Sequence, residues 1–282
     1  MIKMDFKNQV NAVGGLSMIV VAGFFAYELT RSREIGPCGS RFNTVTEMAL
    51  LKQGGEPMSP AELQARLGVG EIGVLEKGSV VSLRDGPTKV ALNVAVGGPV
   101  EADTGLSFYW SPGVMGRVPT ACLSYDVFLP VEFDYSRGGR LPGLFGGNFA
   151  GISAASQNSV GIHLLWDERG QIGIEGVVPG AAGTSDVSLI RYGSEFELPR
   201  GRWVRIDQEI GLNNPGDEDG ILRLWIDGRV KLEDKTVVWR PDATLAMTGA
   251  WADIGYLSFG GVERSAHKYA NIIISPLRLS WQ

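Results

Sequence analysis

The chain has 282 residues, 44% of them hydrophobic and 20% charged, and a net charge of −5. That length and apolar content describe a globular protein with a substantial core in one large or two ordinary domains. The acidic balance excludes the basic signature of a nucleic-acid partner, and an anionic ligand would need a local cluster of cations.

In chain order, the first feature is the stretch NQVNAVGGLSMIVVAGFFAY, twenty uncharged residues between Lys7 and Glu28. This is about the length a helix needs to cross a bilayer. Residues 21–27 offer no small-x-small cleavage site, so residues 1–30 read as an uncleaved signal anchor rather than a removable signal peptide. A short N-terminal flank stays inside, which predicts a single-pass inner-membrane protein with its C-terminal domain in the periplasm. Residues 31–70 read as a connector with short helices. One is TVTEMALLKQ (44–53). The other is SPAELQARLG (59–68), with Ser59 as N-cap, Pro60 at the first helical position, Glu62 at the third and Gly68 as the stop. The two cysteines are Cys38 and Cys122. An oxidising compartment permits a disulfide between them, while Cys122 also suits a small buried strand residue. No Cys/His constellation points to a metal, and no cofactor is expected.

Over residues 71–282 helical periodicity disappears. Short alternating runs follow, among them KVALNVAV, ACLSYDVFLP, SVGIHLLW, QIGIEGVV, WVRIDQEIGL and NIIISPLRLSW, separated by turn residues. The 39 glycines fit many tight turns. Roughly a dozen strands without intervening helices predict an all-β, two-sheet antiparallel β-sandwich of jelly-roll type. Within LRLWIDGRVKL, Asp227-Gly228 is the pair a two-residue hairpin turn demands. Alternation puts Leu222, Leu224 and Ile226 on one face and Arg223, Trp225 and Asp227 on the other. Trp203, Arg205, Asp207 and Glu209 likewise share a face. Such a half-polar, partly aromatic surface is either a solvated face or a groove in which Trp225 stacks on a sugar ring. The segment RGGRLPGLFGG (137–147) is a cationic, nearly side-chain-free loop, so Arg137 and Arg140 are candidate anion contacts.

LSYDVFLPVEFDYSRGGRLPGLFGG (123–147), GIHLLWDERGQ (161–171), the stretch 198–230 and the stretch 255–280 together resemble the family 14 polysaccharide lyases, in that family's order. The resemblance covers about residues 105–282. It implies a jelly-roll fold of the concanavalin/lyase type and β-elimination on uronic-acid polymers such as alginate and glucuronan. Elimination needs a cation on the uronate carboxylate, a base for the C5 proton and an acid for the leaving oxygen. Carried over, Arg140 takes the place of the family's lysine in GGKLPG, keeping the charge but not the proton-transfer capacity. The family's Ser-x-Arg registers onto Gly161, Ile162 and His163, aligned on Trp166. Its tyrosine pair falls on 174–177, here Ile174, Glu175, Gly176 and Val177. The scaffold matches the family more closely than its catalytic positions do.

The catalytic candidates are therefore Arg140 for the carboxylate, His163 as base, and Tyr256 or Tyr269 as acid. Each also has an ordinary structural reading: a hydrogen-bonded strand histidine, and packed tyrosines. Arg137, Asn148, Gln157 and Trp225 are the candidate substrate contacts. His267 and Lys268 read as an exposed loop, and NNPGDEDG as a solvated loop in preference to a calcium site. Three functions follow. One is a membrane-anchored lyase on an acidic polysaccharide. Another is a catalytically inactive glycan-binding protein. The third is an accessory subunit whose helix docks in a larger membrane complex.

Overall fold

A computed structural model describes residues 36–68, 71–98, 105–152, 156, 158–180, 187–257 and 267–282. The expected membrane segment and Gln157 lie outside these residues. Among the described residues, no helix is long and apolar enough to cross a membrane. Gly36–Gln282 form one compact unit.

Two antiparallel sheets make a jelly-roll sandwich. The nine-stranded sheet runs β13 (Arg229–Val237), β12 (Gly220–Ile226), β11 (Trp203–Gly211), β5 (Thr120–Phe128), β15 (His267–Ile274), β3 (Val90–Gly98) and β2 (Gly78–Ser82). In it β16 (Arg278–Trp281) also pairs with β5, and β1 (Thr44–Glu47) with β16. The seven-stranded sheet runs β10 (Val187–Glu197), β9 (Gln171–Pro179), β8 (Ser159–Trp166), β6 (Gly139–Leu141), β14 (Met247–Tyr256) and β4 (Leu106–Trp110). There β7 (Gly143–Gly147) bridges β14 and β8. Alternation supplies the core: Leu123, Tyr125, Val204, Ile206, Leu222 and Leu224 meet Ile162, Leu164, Ile172, Ile174, Ala252 and Ile254 between the sheets.

The predicted helix at 59–68 forms as α1 (Pro60–Leu67), with a capping box between Ser59 and Glu62. A second, one-turn helix, α2 (Val74–Lys77), precedes β2. The Asp227-Gly228 hairpin also forms, with φ of 49° and 75° at the two turn residues. The helix predicted over TVTEMALLKQ does not: Thr44–Glu47 is a strand, registered against Arg278–Trp281. Two β-branched threonines and a valine favour extended backbone, and the free edge of β16 supplies the hydrogen bonds. This stretch is therefore part of the sandwich. Met48, Leu50 and Leu63 sit in its core, and a disulfide joins Cys38 to Cys122 on β5. His267, expected in a loop, opens β15.

Candidate functional site

The outward side of the seven-stranded sheet carries a row of charges set by register. His163 on β8 lies opposite Glu175 on β9, and Glu175 opposite Arg191 on β10. The Arg191 guanidinium grips Glu175 at 2.7 Å through Nε and 2.5 Å through Nη2. Glu175 stands 3.3 Å from His163 Nε2. On the imidazole's other side, Asp253 Oδ2 of β14 is 3.7 Å from Nδ1, and Arg140 Nη1 of β6 reaches the same oxygen at 3.0 Å. This Arg140–Asp253 contact is a close ion pair without hydrogen-bond alignment, since Asp253 Oδ2 and Arg140 Nε both lack a hydrogen-bond partner among the described residues. The order is thus Arg191, Glu175, His163, Asp253, Arg140. The imidazole and Arg191 hold the Glu175 carboxyl down at about 2, the hydrogen bond from His163 being the largest cause and burial opposing it.

An aromatic cluster roofs one side of this row. Phe145, Phe149, Val177 and Trp251 pack together with Tyr109. Trp251 stacks on the His163 ring at 5.0 Å, and Tyr109 lies near-parallel to Trp251 at 6.3 Å. Gly161 makes this possible, because a Cβ there would meet the Phe149 ring at 2.4 Å. His163 is left 2% exposed. Burial, and then the Asp253 charge, push the Tyr109 hydroxyl up, so it is held as a neutral phenol.

Beyond Leu165 the face opens into a groove of about 760 Å³ at the β8–β9 turn. Its floor runs over Gly173 and Gly193, and Arg137, Arg169 and Arg191 stand around it. Arg169 is paired with Asp167 at 3.2 Å. Arg137 is 9% exposed, its Nη1 has no hydrogen-bond partner among the described residues, and its guanidinium sits 6.0 Å from the Tyr256 ring centroid.

The sequence candidates separate accordingly. Arg140 and His163 come together, both facing Asp253, and Arg137 lies on the same side of the sandwich. Tyr256 does not join them. Trp251 and Asp253 point outward, so two-residue alternation turns Tyr256 into the core. There it stacks on Phe133 at 5.6 Å, and its hydroxyl donates to the Asp134 carbonyl at 2.8 Å. Burial raises its pKa well above the ordinary phenol value. Tyr269 is on β15, which pairs with β3 and β5 in the other sheet, and is 75% exposed there. Trp225 is fully buried, so no sugar ring reaches its face. Asn148 is exposed beside Arg117 and Asn158, near the start of β8, at the opposite end from Arg137. Asp219 in the acidic loop is engaged by Asn214 at 2.6 Å. Sequence reasoning missed Asp253, Trp251, Tyr109 and Arg191. Alternation in LSFYW and WADIGY marks the faces of Tyr109, Trp251 and Asp253, but only the pairing of β14 with β4, β6 and β7 brings these to His163, while Arg191 joins through the pairing of β10 with β9.

Comparisons with known proteins agree with this architecture. The alginate lyase of polysaccharide lyase family 14 from Aplysia kurodai superposes with a TM-score of 0.66 at 19% identity, over 86% of this chain and 99% of that one. Alginate lyase vAL-1 from Chlorella virus gives 0.63 at 17% identity, over 84% and 100%. The endo-β-1,4-glucuronan lyase of Trichoderma reesei gives 0.58 at 12% identity, over 90% and 96%. No curated protein matches the sequence. The profile described as polysaccharide lyase 14 matches residues 93–271, well over half of the chain, and the protein belongs to the polysaccharide lyase 14 family.

Proposed function

We propose that this protein binds an acidic, uronate-containing polysaccharide across the outward side of its seven-stranded sheet without cleaving it. One observation carries this reading: Arg140 and His163, which would have to take the uronate carboxylate and the C5 proton, both face Asp253. A guanidinium already paired with a carboxylate is a weak receptor for a second one, and an imidazole 2% exposed under Trp251 offers no path to a substrate proton. The outward positions on β9 where the family resemblance places tyrosines carry Glu175, held ionised, and Val177, packed among aromatics. The groove and its arginines keep the means to bind an anion. The relatives named as alginate and glucuronan lyases point to uronate polymers as the ligand class. The apolar stretch before Glu28 would anchor the domain at the inner membrane, facing the periplasm. The Cys38–Cys122 disulfide fits that oxidising compartment.

The test is a panel of polymannuronate, polyguluronate and glucuronan, with a neutral glucan as control, assayed by affinity electrophoresis and by ultraviolet absorbance of unsaturated ends. Retardation by an acidic polymer with no unsaturated product is the expected result. Product from any polymer, or no retardation by any, overturns the reading. Asp253→Asn, which releases Arg140, is expected to raise polymer affinity about three- to tenfold, or roughly 1 kcal/mol.

A further inference from the structure

One cation of the groove at the β8–β9 turn, Arg137, forms no ion pair among the described residues, although Asp167 and Glu168 also line the groove. Around it, Arg169 has Asp167 and Arg191 has Glu175. Arg137 has the Tyr256 ring face at 6.0 Å and an Nη1 without a hydrogen-bond partner, in a side chain more than nine-tenths buried. Ring contact offsets part of the desolvation of a guanidinium, but the Nη1 donors remain unmet among the described residues. A buried, fixed cation of this kind is completed by an anion, and the planar fork of arginine matches a carboxylate.

The surroundings fit such a guest. Arg137 ends the turn that enters β6, in which Gly138 donates its N–H to the Tyr135 carbonyl at 2.7 Å. Gly138 has φ +63°, and a Cβ there would meet the Trp166 carbonyl oxygen at 2.8 Å, so the turn is held against the end of β8. The floor at Gly193 is open: a Cβ there meets nothing within 4 Å. Leu165 and Leu257 give the groove apolar wall, which suits the face of a sugar ring beside its acid group.

We propose that this groove, with Arg137 as its anchor, holds the carboxylate of a single uronate residue, and that it, rather than the Arg140 centre, is the anion-recognising site. The proposal rests on the acidic-polysaccharide reading and locates where that ligand's charge is read.

A glucuronate trisaccharide and its carboxyl-reduced counterpart, titrated calorimetrically into the full-length protein, test it. The acidic trisaccharide binds and the reduced one does not. Arg137→Gln weakens binding at least tenfold, whereas Arg140→Gln changes it less than twofold. Gly193→Glu, a surface change that leaves Arg137 in place, also weakens binding about tenfold by charge repulsion, and it decides the matter should Arg137→Gln fail to fold. Equal binding by Gly193→Glu, equal binding of the reduced trisaccharide, or loss on Arg140→Gln alone overturns the proposal. Binding of long acidic polymers without the trisaccharide overturns it too, yet leaves the polysaccharide-binding reading standing. Failure to bind either removes both.

Discussion

The outward sides of the two sheets carry the same kind of charge row and treat it differently. On the nine-stranded sheet, Arg41 pairs with Glu209, Glu209 with Arg223 at 3.1 Å, and Arg223 with Glu233 at 2.7 Å. Arg205 likewise bridges Asp126 at 3.0 Å and Asp207 at 3.3 Å. The Cys38–Ser40 turn and Arg41 lie against this face, tied down by the disulfide to Cys122, so Glu209 and Arg223 are buried. On the seven-stranded sheet the row is roofed at His163, and Arg191 at its end borders a groove in which Arg137 has no ion-pair partner among the described residues. A charge row closed on itself and covered is structural, while one that borders a groove with an unpaired cation fits the anion site proposed above. Burial alone does not distinguish them; the completeness of pairing does.

Three perturbations probe that contrast, from the largest effect to the smallest. Arg223→Met leaves Glu209 buried with its partner on β12 gone, and is expected to cost about 3–5 kcal/mol in denaturant unfolding. A loss under 1 kcal/mol would show that the covered row is not the closed unit described. Cys38→Ser releases the covering segment from β5 and should cost about 2–5 kcal/mol. Its thermal midpoint should then match that of the reduced wild type, and no change on reduction would break the idea that the segment is clamped.

The smallest effect concerns the open row. Glu175, lowered from 4.5 to about 2, contributes stability that is full above its ordinary value and is lost as pH falls through about 2. The contribution is about 1–3 kcal/mol. Glu175→Gln should remove that acid-side loss from the stability profile between roughly pH 4.5 and 2. An unchanged profile would mean that the His163–Glu175–Arg191 row contributes no net stability.

Much of this was legible before any coordinates. The sandwich follows from two-residue alternation and glycine-rich turns. The helix at 60–67 follows from its Ser59 cap, and the hairpin from Asp227-Gly228. The segment 137–147 carries the family resemblance and points to Arg137 and Arg140, but what reads as a loop forms the short strands β6 and β7. Local pattern erred where edges mattered. The local pattern of Thr44–Glu47 reads as helix because nothing in the stretch announces the free edge of β16. Tyr256 and Tyr269 lie near each other in the last third of the chain, but alternation and sheet membership send one into the core and the other to the opposite sheet from Arg140.

Taken alone, the sequence determined what depends on neighbours along the chain: the strand periods, the caps and the turn types. The tertiary structure alone decided which strands lie side by side. Inserting β14, more than 80 residues distant along the chain from β8, among β4, β6 and β7 sets Asp253 between Arg140 and His163 and lays Trp251 over the imidazole. Non-consecutive strand pairing is a long-range choice made by the packing of two whole sheets, and no local spacing encodes it. That choice is what engages Arg140 and leaves Arg137 as the arginine lining the groove that has no ion-pair partner among the described residues.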